Sequence, residues 1–414
     1  METPDGQEAD RILRACTHCG FCLATCPTYQ LLGDERDSPR GRIYLIKQVL
    51  EGAEPGQPTQ THLDRCLTCR NCETTCPSGV EYGRLVDIGR GLVDARQHRP
   101  RLERLVRWGL RRIMAYPRRV GLLLTLGRLA RPLLPQSQSG KIPPRIRAGN
   151  WPAATQAKRS MLVLDGCVQP AAAPVTNAAA ARVLDRVGIR LIRARGAGCC
   201  GALPQHLSAQ QEALTFAKRN IDAWWPHIEA GAEALIITAS GCGAQVAEYG
   251  HLLRHDPAYA EKARRISQMT CEIGEVLANE ELSGFADRGG GRCIAYHPPC
   301  TLRNAPGLND QVAKILTAAG YRLTPVNDVH MCCGSAGTYS ILQPQLANRL
   351  RDDKLASLQQ GQPETIVTAN IGCQLHLATA ADVPVRHWIE LLDDPPPPSR
   401  NAEREKRHRR LSPR

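Results

Sequence analysis

Aromatic residues make up only 4% of this 414-residue chain, and just three of them are Phe. So few rings leave no base-stacking surface, and none is interleaved in the basic C-terminal segment, so the net charge of +13 does not point to nucleic acid. Long apolar runs are missing too. The longest, around Val120 to Leu126, falls far short of the roughly 20 residues of a membrane-spanning helix. Met1 to Asp10 is acidic and polar, without the apolar core of a signal peptide. The 18 cysteines are therefore expected to remain thiols in a reducing compartment, the cytoplasm, rather than to form a disulfide framework. No G-x-G-x-x-G follows an expected strand, no phosphate-binding G-x-x-x-x-G-K-[ST] occurs, and Gly289-Gly290-Gly291 precedes a strand rather than opening a helix. Nucleotide and flavin are expected on other chains. No Ser/His/Asp or paired-carboxylate constellation stands out, so no catalytic residue is assigned, and His206, His297, His330 and His387 read as ordinary hydrogen-bonded histidines.

What is abundant is cysteine in pattern. Cys16, Cys19, Cys22 and Cys26, followed by Pro27, repeat as Cys66, Cys69, Cys72 and Cys76, followed by Pro77. Both runs read C-x2-C-x2-C-x3-C-P, the spacing that wraps a cubane [4Fe-4S] cluster, in which the fourth cysteine of a run reaches the other cluster. The expected sets are therefore Cys16, Cys19, Cys22 and Cys76 for one cluster, and Cys66, Cys69, Cys72 and Cys26 for the other. A pair of zinc sites would need only two C-x2-C pairs each, whereas each run here supplies four cysteines. Between the runs, Ile43, Ile46, Lys47 and Leu50 follow Pro39-Arg40-Gly41-Arg42 at helical spacing, so an inserted helix is expected. Arg40 and Arg42 either balance cluster charge or simply begin a solvated helix.

The charge is concentrated. Residues 98–147 carry 13 Arg or Lys against Glu103 alone, and residues 400–414 carry seven against two acids, which leaves a slightly acidic body. Leu102, Leu105, Val106, Leu110 and Ile113 fall on one helical stripe, with Arg101, Arg104, Arg107, Arg111 and Arg112 on most of the rest. Such a segment can lie on an anionic membrane face, dock an acidic partner, or be a solvated surface. Pro132, Pro135, Pro143 and Pro144, with the run from Gln136 to Gly140, read as linker.

An internal repeat follows. Cys167 stands 32 residues before Cys199-Cys200-Gly201, which stand 42 before Cys242; Cys300 stands 32 before Cys332-Cys333-Gly334, which stand 40 before Cys373. Two copies of one Cys-Cys-Gly (CCG) unit are expected, with Glu275-Val276-Leu277 matching Glu390-Leu391-Leu392. Each alternates strand and helix: Met161–Leu164, Arg190–Ile192 and Ala234–Thr238 in the first, and 292–296, 322–326 and 365–369 in the second. That alternation implies a parallel sheet, with every repeat cysteine at its carboxyl edge, where such sheets bind ligands. Adjacent cysteines on a strand would point to opposite faces, so a loop freed by Gly196, Gly198, Gly201, Gly334 and Gly337 must turn both inward. Cys167, Cys199, Cys200, Cys242, Cys300, Cys332, Cys333 and Cys373 are thus either a further iron-sulfur or metal site in each repeat or buried thiols kept by packing. Three residues on from Cys242 and Cys373 stand Gln245 and His376, of which only histidine is a good iron ligand. Cys271 and Cys293 lack counterparts and read as structural.

The expected class is α/β with an N-terminal α-helical two-cluster ferredoxin-type domain (1–97), a basic amphipathic connector (98–150), tandem α/β CCG domains with parallel strands (151–288 and 289–395) and a basic tail (396–414).

The segments 22–33 (CLATCPTYQLLG), 39–51 (PRGRIYLIKQVLE), 63–78 (LDRCLTCRNCETTCPS), 331–339 (MCCGSAGTY) and 367–374 (VTANIGCQ) resemble the iron-sulfur subunits of glycolate oxidase. The resemblance covers most of the chain except the linker and the tail. It implies a complex in which separate FAD-containing dehydrogenase subunits oxidise glycolate, and D-lactate, to the 2-oxo acid. This chain would pass electrons through two [4Fe-4S] clusters to an acceptor such as quinone, peripheral on the inner face of the cell membrane. The wider CCG family ends its last motif in C-x-x-C, from which Gln245 and His376 depart. Two alternatives share these motifs: the iron-sulfur subunit of an anaerobic glycerol-3-phosphate dehydrogenase, and a heterodisulfide-reductase-like subunit whose CCG sites carry out thiol chemistry.

Overall fold

The computed structural model describes residues 3–133, 135, 140, 142–153, 157, 159–304 and 310–394. The basic tail 396–414 and most of the run from Gln136 to Gly140 lie outside the described residues.

The N-terminal part is helical. Helices α1 (Pro4–Ala15), α2 (Pro27–Leu32), α3 (Pro39–Leu50), α4 (Gln57–Asp64), the single turn α5 (Asn71–Thr74) and α6 (Tyr82–Arg96) surround the two cysteine runs. The inserted helix starts where the sequence places it: the Ser38 hydroxyl accepts the Gly41 N–H and Pro39 occupies the first turn. Ile43, Ile46 and Val49 of α3 are buried with Leu85, Val86 and Val93 of α6. The approach is close enough that a Cβ on Gly89 would come within 2.6 Å of Ile46. Arg42 is buried rather than solvated, at 1% exposure. Its guanidinium donates to the His62 carbonyl at 2.7 Å and to Thr28 Oγ1 at 3.0 Å, and it pairs with the Asp37 carboxylate at 3.3 Å.

The connector forms α7 (Arg101–Met114) and α8 (Pro117–Ala130). Its apolar stripe faces outward. Leu102, Leu105 and Trp108 are 73%, 61% and 51% exposed, and Leu122, Leu126 and Leu129 of α8 are 62%, 55% and 73% exposed. The inward face is ionic: Arg99 and Arg107 pair with Asp64 and Glu103, and Arg111 pairs with Glu212.

Each repeat is a four-stranded, all-parallel sheet. The first, β1 (Arg159–Val163), β2 (Ile189–Arg193), β3 (Leu235–Ile237) and β4 (Thr270–Glu272), runs in the order β2-β1-β3-β4. The second, β5 (Cys293–His297), β6 (Arg322–Leu323), β7 (Thr365–Thr368) and β8 (Val385–His387), runs in the equivalent order β6-β5-β7-β8. The strands β4 and β8 go beyond the three expected per copy. Cys271 lies inside β4 and Cys293 opens β5, where its sulfur accepts from Arg322 at 3.0 Å.

The matched triplets explain why the repeats come as a pair. Both lie on short helices, Ile273–Leu277 and Trp388–Asp393, which follow β4 and β8. The first packs on the helix Gln311–Ala318 of the second copy, and the second packs on the helix Val175–Arg186 of the first. One apolar core therefore spans both sheets, from Met161 and Val163 through Val276, Leu277, Ile315 and Leu316 to Trp388 and Leu391. Replacing the fully buried Trp388 by Ala should cost about 3–5 kcal/mol. Because the core is shared, both repeats should lose stability together, measured as one cooperative unfolding transition shifted to lower denaturant rather than two separated ones.

Candidate functional site

Both cysteine runs follow the same backbone path. His18 and Thr68, equivalent positions in the two runs, each have φ of 54°, and Gly20 and Arg70 follow at 86° and 59°. Left-handed conformation at His18, Thr68 and Arg70 is costly for side-chain-bearing residues and marks functional loops. Alternating left-handed residues turn successive N–H groups to one side and make a concave seat for negative charge. The runs also touch: Thr25 Oγ1 and Thr75 Oγ1 lie 3.2 Å apart, and Thr25 Oγ1 reaches the Asn71 carbonyl at 3.3 Å.

Cys16, Cys19, Cys22 and Cys76 line one cavity, walled by Phe21, Ile43, Val80 and Tyr82 and edged by Arg40. Cys72 borders it as well, but Cys26 does not. Cys26 turns the other way, with its sulfur 3.4 Å from Thr28 Oγ1 and 3.7 Å from the Asp37 carbonyl. The cavity is open at Cys19, which is exposed. Burial, then the neighbouring Cys26 and Cys16, push the Cys22 thiol up to about 11.

Cys26, Cys66, Cys69 and Cys72 are all buried. Burial is the main force raising the Cys69 and Cys72 thiols, and each feels Cys26 and Cys66 among its neighbours. Tyr82 donates its hydroxyl to Cys66 Sγ at 3.6 Å. The buried Arg42 guanidinium is near Cys66 and Cys26, and its burial rules out the solvated one of its two expected roles. Thiols that raise one another in this way are relieved by a metal, which ionises its ligands outright. The donor sets thus fit iron-sulfur clusters in number, chemistry and flanking cations.

In the first repeat Cys167, Cys199, Cys200 and Cys242 converge at the carboxyl edge of the sheet. Hydrogen bonds donated by Cys167 and then Cys200 hold Cys199 well below its usual thiol range, helped by the Gly201 N–H at 3.5 Å and by Arg219. Asn220 and Tyr249 pin the loop by donating to the Cys199 and Cys200 carbonyls at 2.8 and 2.7 Å. In the second repeat the hydrogen bond between Cys300 and Cys332, then burial, pushes Cys300 up. The Gly334 N–H meets Cys332 Sγ at 3.5 Å, as Gly201 does in the first copy. Gly201 and Gly334 have φ of 90° and 84°, and a Cβ on either would strike the carbonyl of Ala213 or Ala347, at 2.9 and 2.5 Å. That double constraint explains the glycine after each cysteine pair.

The four groups form a contiguous series. Cys69 adjoins Cys300 and Cys332 across the boundary between the N-terminal helices and the second repeat. Asn304 donates to the Cys69 carbonyl at 2.7 Å, and Asn71 donates to the His330 carbonyl at 2.7 Å while accepting from Arg303 at 2.7 Å. Between the repeats, Thr301 Oγ1 bonds Ser240 Oγ at 2.7 Å, and the Ser240 N–H bonds the Ala369 carbonyl at 3.1 Å. Asn370 accepts from the Gly241 N–H at 3.4 Å and donates to Cys373 Sγ at 3.4 Å. The turn between α7 and α8 covers the far end, where Ala115 and Tyr116 pack with Cys167, Cys199 and Phe216.

Three histidine readings from the sequence change or sharpen. His376 does not join the cysteines: its Nε2 lies 3.1 Å from the Ala347 carbonyl. His387 is an ordinary hydrogen-bonded residue, with Nε2 2.8 Å from the Thr238 carbonyl and Nδ1 accepting the Ile389 N–H. His297 is not, since neither ring nitrogen has a hydrogen-bond partner among the described residues. Lys354, which no sequence pattern marks out, is a buried ammonium that donates to the Asp328 carbonyl at 2.6 Å and lies near Cys332 and Cys333.

Comparison with known proteins agrees with this geometry. Residues 12–80 match the 4Fe-4S dicluster domain, and residues 161–247 and 294–378 each match the cysteine-rich domain. The glycolate oxidase iron-sulfur subunit of Escherichia coli is 56% identical over 93% of this chain and 95% of its own length. A probable glycolate oxidase iron-sulfur subunit of Bacillus subtilis is 31% identical over 87% of both chains. Lactate utilization protein A of Bacillus licheniformis is 26% identical over 52% of this chain and 91% of its own. With two cysteine runs on one backbone path, two cysteine-rich repeats and relatives that span nearly its whole length, the chain belongs to the family of glycolate oxidase iron-sulfur subunits.

Proposed function

We propose that the chain is the electron carrier of a complex in which FAD-containing subunits oxidise glycolate, and D-lactate, to the 2-oxo acid, and that it delivers the electrons to a quinone. The carrying observation is the unbroken series of cysteine groups, which begins at the exposed Cys19 and runs inward through Cys69 and Cys300. When bound, a pair of [4Fe-4S] clusters takes up a flavin's two electrons one at a time. The residues that would hold them are Cys16, Cys19, Cys22 and Cys76 for one, and Cys66, Cys69, Cys72 and Cys26 for the other. The chain's own part is to seat the sulfurs against turned-in N–H groups, offset their charge with Arg40 and Arg42, and exclude water with Tyr82, Val80 and Ile43. Domain boundaries at residues 97, 150, 288 and 395 suit this division between a cluster-holding unit, a connector and the paired repeats.

The crossing of the ligand sets is supported by the cavity that includes Cys76 and omits Cys26. Cys26→Ser should therefore damage the cluster held by Cys66, Cys69 and Cys72 and spare its sequence neighbour. Electron paramagnetic resonance of the reduced, anaerobically purified chain reads this directly, and damage confined to the Cys16, Cys19, Cys22 cluster would refute the crossing.

The connector suits a membrane surface. Leu102, Leu105, Leu122 and Leu126 point outward beside the exposed Arg101, Arg104, Arg118 and Arg119, while Glu103 is tied up by Arg99 and Arg107. Each basic residue near an anionic leaflet contributes about 1 kcal/mol. Among the described residues no helix is long and apolar enough to cross a membrane, so this contact would be peripheral. Changing those four leucines to Ser should abolish co-sedimentation with phosphatidylserine vesicles and leave the folded chain intact. A variant that binds vesicles as the wild type does, or one that instead sheds the flavin subunits, would replace the membrane with another partner for this face.

A further inference from the structure

We infer that the second repeat holds a metal through His297 together with Cys333 and Cys373, a site that the first repeat cannot build. His297 ends β5 at the carboxyl edge of the sheet, in register with Thr368 of β7, and is 2% exposed. One of its ring nitrogens and the sulfurs of Cys333 and Cys373 all lie within 4.8 Å of one another. Neither ring nitrogen is hydrogen-bonded among the described residues. An orphaned buried polar group of this kind is costly. A metal bound at one nitrogen removes much of that cost.

The protonation state suits a ligand. An imidazole binds a metal in its neutral form, the form that full burial of the ring favours. Two thiolates and an imidazole are the donors preferred by zinc and iron, not by the hard cations magnesium and calcium. Cys332, hydrogen-bonded to both Cys300 and Cys333, lies next to this trio.

The two repeats differ at this point. His297 stands three residues before Cys300, and the residue three before Cys167 is Leu164, which is buried among apolar side chains. The first repeat therefore offers cysteine alone, whereas the second offers cysteine and one imidazole. His376 does not substitute, because its Nε2 is taken up by the Ala347 carbonyl. This site is separate from the N-terminal cysteine runs, so the inference does not depend on how those runs share their ligands.

The test uses the full-length chain, purified anaerobically as wild type, His297→Leu, His297→Cys and the double variant Cys333→Ser/Cys373→Ser. Iron and zinc per chain are measured beside the visible absorption of the N-terminal clusters and circular dichroism. His297→Leu, which copies the first repeat, should lose the metal of the second repeat while folding and cluster absorption stay at wild-type level. His297→Cys should keep that metal. The wild type should show nitrogen coordination, as a zinc–nitrogen distance of about 2.0–2.1 Å by X-ray absorption or, if the metal is iron, as a 14N hyperfine coupling, and His297→Cys should abolish it. A folded His297→Leu chain that retains all its metal, or a wild type with no more metal than the double-serine variant, would overturn the site.

Discussion

The arrangement hangs on Asn71. This buried amide, 1% exposed, sits between Cys69 and Cys72 and satisfies three partners of the second repeat: the His330 carbonyl, Arg303 and Asn304. Through Asn304 the same staple returns to the Cys69 carbonyl. A buried amide with unmet groups is costly, so the staple fixes which repeat the cysteine runs meet. The second run abuts Cys300 and Cys332, and the first run is left facing solvent at Cys19. The direction of the series, from surface to interior, follows from that one docking choice.

The paired repeats supply the second constraint. Their exchanged helices bury a common core, and the same exchange brings Ser240 against Thr301 and Gly241 against Asn370, so the two cysteine sites meet edge to edge. Near symmetry in the backbone carries chemical asymmetry. The first site sets Arg219 beside Cys199, whereas the second places His297 and Lys354 near its sulfurs. Duplicated scaffolds with unequal sites suit a chain that passes charge in one direction, although fold alone assigns no chemistry.

Much of this is legible in the sequence, because the informative features are local. C-x2-C-x2-C-x3-C-P fixes which sulfurs share a turn, and the equal 32-residue offsets reveal the repeat and place its cysteines after strands. The strands β4 and β8 are harder to read: they are three residues long, and Thr270-Cys271-Glu272 shows neither an apolar run nor alternation. The amphipathic stripe of α7 is visible, but its direction is not, since periodicity cannot say whether the apolar or the basic face meets the body when Asp64 and Glu212 wait there to pair with arginine. His297 and Asn71 act through residues distant in sequence, and single polar residues in a strand or loop carry no periodic signal.

The central claim is that this chain carries electrons away from a flavin through cysteine-bound clusters. Freeze-quench electron paramagnetic resonance on the assembled complex, mixed anaerobically with glycolate, tests it most directly. The account predicts that reduced-cluster signals rise as the flavin is reduced and decay when quinone is added. Clusters that stay oxidised while the complex turns glycolate over at its full rate to quinone would contradict it.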